Sequence, residues 1–204
     1  NRDPVFAHIV QAGYITRHAR VLDIGCGQGL LAALLCGMSD YAQGHGEQKA
    51  DVTGISITGI ELMRNDVTRA QQALQGFGSR IQIIHGDMCQ THFGSADIVV
   101  ILDVLHYVPY GAQTDILKCV YACLSSGGKL LLRVGDASAG LPFFFSKWVD
   151  AVVFALRGHT SVRVYCRSLT EWKEQLETIG FKVADIPMHQ GTPFANILLH
   201  CQKP

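Results

Sequence analysis

Apolar residues come in short, sharply bounded runs along this chain, separated by polar and glycine-rich stretches. Val21 and Leu22 rise within a run from Arg20 to Ile24, meet glycines at 25, 27 and 29, and give way to Leu30-Leu31-Ala32-Ala33-Leu34-Leu35. That switch predicts a buried strand, a tight turn and a helix over about Gln28–Met38. Upstream, Phe6, Ile9, Val10 and Tyr14 share one face of a helix predicted from Pro4 to about His18. Positions 39–52 are polar, with mixed charges and two glycines, and predict a long loop.

The β-branched run from Val52 predicts a second strand ending in Glu61, with a helix over 63–74 behind it. Ile81–His85 predicts a third strand. Asp97–Leu102 is continuously apolar, as a central parallel strand should be, and a helix over about Ala112–Leu124 follows. A glycine turn and the run Lys129–Val134 predict a fifth strand. Ser168–Ile179 has Ser or Thr and Glu at its start, the pattern of a capping box, and Gly180 to end it. Two further strands, Phe181–Pro187 and about Ala195–Gln202, are joined by a short loop and predict an antiparallel hairpin. Strands alternating with helices indicate an α/β fold with a doubly wound, mostly parallel sheet.

Length sharpens this picture: 204 residues suit a single domain, with an N-terminal helix over 1–18 and a substrate-side insertion over 139–167. With 48% hydrophobic and 17% charged residues the chain is globular rather than disordered. A formal net charge of zero builds no strong positive field, which argues against a nucleic-acid partner and suits a small molecule. The seven cysteines are scattered and form no C-x-x-C pair, reading as reduced thiols of a cytoplasmic protein. No His or Cys cluster has metal-ligand spacing, so no metal is expected. The start at Asn1 suggests that the true N-terminus is missing. The aromatic stretch 141–156 is too short and too charged to span a bilayer, so no stable membrane insertion is expected.

The glycine turn carries the chemistry. Glycine lets backbone approach a ligand closely, and the helix behind it aims unpaired N–H groups at the same spot. A dinucleotide fingerprint would place its third glycine five residues after the first; here Gly29 comes four after Gly25. Asp23 stands two places before the first glycine. The segment "LDIGCGQG" resembles the D-x-G-x-G-x-G motif of class I S-adenosylmethionine-dependent methyltransferases. In that family the glycines admit the methionine part of the cofactor, and the acidic side chain meets its amino end.

Further matches lie at later strand ends. Glu61 falls where a carboxylate accepts the ribose hydroxyls in such folds, although the interval from Asp23 exceeds the usual span of about twenty residues. The polar loop accounts for the excess; Ser56 competes for the tip position but offers no carboxylate. "HGDM" resembles the segment after the third strand, where the acidic residue bonds the adenine amino group and the next packs on the ring. An Asp in a turn is otherwise an Asx turn. "LDVLHYVP" is similar to the fourth motif of small-molecule methyltransferases such as the quinone-biosynthesis enzymes, which lies under the transferred methyl.

The resemblance therefore implies the seven-stranded methyltransferase architecture with its C-terminal antiparallel hairpin. It assigns cofactor contacts to Asp23, Gly25, Cys26, Gly27, Gly29, Glu61, Leu62, Asp87, Met88 and Asp103, the last as a cofactor-side or loop-fixing carboxylate. His106 is the candidate general base, its alternative being a capping histidine. Tyr14 and Tyr107 are candidates to cover or shape the substrate pocket. Phe143, Phe144 and Trp148 exceed what one amphipathic face can bury and are candidates for an apolar pocket wall, with plain packing on the sheet as the alternative. The expected activity is methyl transfer to a small, partly apolar molecule, by a monomer or homodimer. Two alternatives stay open: a nicotinamide-dependent oxidoreductase, and a methyltransferase-like subunit that binds cofactor without turnover.

Overall fold

The apolar runs become strands of one sheet. In a computed structural model, residues 4–45, 52–136, 164–188 and 196–204 are described. The strands are β1 (Arg20–Ile24), β2 (Ser56–Glu61), β3 (Ile81–His85), β4 (Ala96–Leu102), β5 (Leu124–Gly135), β6 (Lys182–Pro187) and β7 (Asn196–Gln202). They lie in the order β3-β2-β1-β4-β5-β7-β6. The first five are mutually parallel, while β7 runs antiparallel to both β5 and β6. The expected doubly wound sheet and its terminal hairpin are both present.

Alternation along the strands divides the core into two layers, because successive side chains point to opposite faces. Val21, Ile98 and Val100 face α1 (Pro4–Gln11), α2 (Leu30–His45) and α3 (Arg64–Leu74), which contribute Ile9, Leu35 and Val67 among others. Leu22, Val99 and Ile101 face α4 (Tyr110–Cys123) and α5 (Leu169–Ile179), which contribute Leu117 and Trp172. Chain order reverses between β1 and β4, and such a switch point opens a crevice beyond the carboxyl ends of the strands. The glycine turn lies at that crevice. Among the described residues no helix is long and apolar enough to cross a membrane.

Several boundaries differ from expectation, β5 among them, which begins at Leu124 and takes in the glycine turn that was expected to precede it. The first helix stops at Gln11, not His18, since Gly13 takes φ +63 and turns the chain. The second continues to His45, through the stretch that read as loop. Two of its polar residues serve the helix: Ser39 is buried, and Asp40 pairs with Arg80 from before β3 at 2.6 Å. Strand β2 begins at Ser56, because Thr53 and Gly54 form a turn; Val52 and Ile55 are buried without joining the ladder. Helix α5 begins as its sequence implied, with Ser168 and Glu171 forming a capping box and Gly180 closing the other end.

Candidate functional site

The three glycines after β1 all take positive φ, and they lack a side chain for two different reasons. A Cβ on Gly25 would come within 2.7 Å of both Val104 methyls, and one on Gly29 within 2.5 Å of Leu74 Cδ1. Those two are small because protein packs on them. A Cβ on Gly27 meets nothing within 4 Å among the described residues, which leave the turn open there. Ile60 anchors the turn by accepting from Gly25 N–H at 2.8 Å and Cys26 N–H at 3.1 Å. Cys26 points inward against Gly59, and burial beside Asp23 and Glu61 pushes its thiol pKa far up.

Two carboxylates converge here. Glu61, buried at the end of β2, accepts from Gly27 N–H at 2.9 Å and Met63 N–H at 2.8 Å, tying the turn to the start of α3. Asp23 is 5% exposed, and among the described residues no donor bonds its oxygens. Burial, with Glu61 adding repulsion, raises its pKa to about 7. An acid so placed lacks a donor or cation. Leu62 follows Glu61 and is 57% exposed, and its carbonyl bonds His85 Nε2 at 3.0 Å. Beyond β3, Asp87 forms an Asx turn by accepting from Cys89 N–H at 2.8 Å through Oδ1. Met88 packs partly on the second core layer.

The loop after β4 completes this end of the sheet. Asp103 takes φ +57 and is clasped by the Arg133 guanidinium, whose Nε lies 2.9 and 2.8 Å from its two oxygens; Nη2 bonds it as well. Leu105–Tyr107 form a short 3-10 turn in which the His106 and Tyr107 rings meet at 4.1 Å between centroids. The backbone carbonyl of His106 accepts from Tyr165 N–H at 2.8 Å. Gln113, fully buried in α4, donates to the carbonyls of Val108 and Tyr165 and accepts from Arg167 Nε.

A family model described as "methyltransferase domain" matches residues 2–186. The chain belongs to the methyltransferase domain family. Among curated proteins, ubiquinone biosynthesis O-methyltransferase of Xanthomonas oryzae pv. oryzae is 30% identical over 135 residues, 64% of this chain and 48% of the relative. Carboxy-S-adenosyl-L-methionine synthase of Chromohalobacter salexigens is 27% identical over 116 residues, 56% of this chain and 39% of the relative. The chain thus spans about half the length, or less, of these curated relatives. YcgJ protein of Bacillus subtilis superposes with a TM-score of 0.72 at 17% identity, over 99% of both chains. Magnesium protoporphyrin IX methyltransferase from Synechocystis PCC 6803, with bound SAH, gives 0.67 at 20% identity over 99% of this chain and 81% of its own. These two solved structures share the fold of this chain.

Within this methyltransferase domain the structure gathers Asp23, the glycine turn, Glu61, Leu62, Asp87, Met88, Asp103, His106 and Tyr107 around the carboxyl ends of β1–β4. It does not bring Tyr14 there. Tyr14 stacks on His200 at 4.7 Å and its carbonyl bonds Lys129, beside the amino ends of β4 and β5. The early end of α1 takes it to the opposite rim, so Tyr14 does not cover the site. Phe143, Phe144 and Trp148 lie outside the described residues. Sequence reasoning assigned no role to Val104 in the fourth-motif segment, Gln113 in the helix after it or Arg133 in the fifth strand; only their distant partners place them at the site.

Proposed function

We propose that this chain is the catalytic domain of an S-adenosylmethionine-dependent methyltransferase acting on a hydroxyl of a small, partly apolar molecule. The observation that carries the reading is Asp23, a buried carboxylate that no donor among the described residues bonds, at a glycine turn in a methyltransferase domain. A cofactor bearing an ammonium group fits that position, and the open side of Gly27 leaves it room. When bound, the cofactor supplies a methyl group on a positively charged sulfur.

The remaining work falls to the chain's own side chains. Asp23 accepts from the cofactor's amino group and, once paired, holds its charge. Glu61 has further acceptor capacity on the oxygens that already bind Gly27 and Met63, and takes the ribose hydroxyls. Asp87 Oδ1 is committed to its turn, so its other oxygen is the one left for the adenine amino group. His106 takes the proton released by the acceptor hydroxyl, and the loop after β4 orients that hydroxyl and excludes water. The O-methyltransferase named among the relatives favours a hydroxyl acceptor.

Calorimetry with S-adenosylhomocysteine and with NAD tests the reading. Micromolar S-adenosylhomocysteine binding is expected, with Glu61→Ala weakening it by roughly 1.5–3 kcal/mol, the scale of a charged hydrogen bond. Ser56→Ala should change little, since Ser56 begins β2 opposite Arg20, at the other end of the strand from the crevice. Micromolar NAD binding without a response to S-adenosylhomocysteine overturns the proposal.

A further inference from the structure

Strand β5 contains an anomaly. Leu130, Leu131 and Leu132 are 0% exposed and Val134 is 4% exposed, yet Arg133 among them is itself only 8% exposed. Taking a guanidinium out of water is costly, and an apolar residue of similar length commonly serves as well or better for stability. The strand's packing therefore gives no reason for arginine here. The reason lies in what the side chain holds. Arg133 grips both oxygens of Asp103, and its own backbone carbonyl accepts from Asp103 N–H at 3.3 Å. One residue of β5 thus holds the first residue after β4 by side chain and main chain together.

Asp103 is where the loop takes its direction. Its φ of +57 is left-handed, a conformation that survives in a non-glycine residue when its surroundings over-determine it. The next residue, Val104, lays both methyls over Gly25. Leu105 is buried, and His106 and Tyr107 follow in the same short turn. A small rotation at Asp103 would lift Val104 from the glycine turn and swing His106 with it.

We infer that Arg133 is a positioning residue, which through Asp103 sets the loop carrying His106 against the glycine turn. The geometric claim stands alone; its meaning for catalysis rests on the methyltransferase reading above. The Asp103 side chain is 39% exposed, so water reaches its carboxylate when the arginine is gone.

Histidine-labelled protein, observed by NMR across a pH titration, tests the inference without an acceptor substrate. His106→Gln identifies the His106 signal, and His18, before β1 at the opposite rim, serves as reference. In Arg133→Met the His106 resonance and titration midpoint should move while His18 stays put. Arg133→Lys keeps the charge but loses the planar fork, and should show a shift of the same kind. Asp103→Asn, which tolerates the left-handed backbone, provides a second way to open the clasp and should also move His106. The inference is overturned if His106 is unmoved in folded variants, or if lysine restores the parent signal, which would mean a field effect alone. It is overturned equally if all histidines shift or no variant folds, since the pair is then a general prop. Failure of S-adenosylhomocysteine to bind the parent protein would overturn the proposed function and leave this comparison intact.

Discussion

The two halves of the crevice treat their polar groups in opposite ways. On the side of β1–β3, no donor among the described residues reaches the buried Asp23, and none of them crowds Gly27. On the side of β4, Gln113 makes three hydrogen bonds, Arg133 clasps Asp103, and Tyr165 ties down His106. The first half holds polar capacity in reserve for a ligand, at a cost to the folded chain. The second uses that capacity to fix its own loops, so an acceptor meets a preset wall.

The comparison breaks first at Asp23. Its pKa rises from 3.8 to about 7 on folding, a little over three tenfold steps of about 1.4 kcal/mol each. The sign follows from proton uptake: between these values the unfolded chain is ionised while the folded chain keeps its proton. Asp23 therefore supports the fold fully below about pH 4 and loses that support as pH rises to about 7. Chemical unfolding of the ligand-free protein should show a decline of up to about 4 kcal/mol across this window. Asp23→Asn should remove the decline, and saturating S-adenosylhomocysteine should flatten it by pairing the carboxylate. A slope shared equally by parent and Asn variant would mean that Asp23 is not held in reserve.

The glycines sharpen the same half. Gly25→Ala and Gly29→Ala combine a left-handed backbone with collision against Val104 or Leu74, and should each lose about 2–3 kcal/mol in denaturant unfolding. Gly27→Ala carries only the backbone strain, about 1 kcal/mol, yet should weaken cofactor binding because its methyl enters the open space. Equal stability losses at all three positions would show that the turn is shaped by packing alone.

Much of this was legible in the chain. The strand–glycine–helix switch at Val21–Leu35, the carboxylate ending the next apolar run and the Gly180 stop are local signals, and local signals survive translation into structure. The errors also have local causes. The polar stretch from Ser39 continues a helix, with Asp40 on it pairing to Arg80, and composition alone does not separate that from a loop. Tyr14 shares a face with Ile9 only if the helix continues, and Gly13 ends it. What stayed hidden was the second half of the crevice. Residues 103 and 133, 106 and 165, or 113 and 167 meet only after the sheet has formed, and nothing in their spacing announces it.

Gln113 gives the gentlest test of the contrast. It is 0% exposed, donating to Tyr165 O at 2.8 Å and Val108 O at 3.1 Å and accepting from Arg167 Nε at 2.9 Å. Leucine has a similar volume, so Gln113→Leu removes the bonds with little change in packing. The abandoned carbonyls belong to half-buried residues and regain water, which keeps the loss to about 1–2 kcal/mol rather than the penalty of three orphaned groups. Arg167 retains its place over the rings of Tyr110 and Trp172, so the leg at 164–168 loosens without detaching. None of these groups touches the glycine turn, Asp23 or Glu61. Calorimetry should accordingly find S-adenosylhomocysteine affinity within about 0.5 kcal/mol of the parent, even though unfolding reports the lost bonds. A fall in affinity as large as the fall in stability would show that the reserved half depends on the self-fixed half, and the division drawn between them would fail.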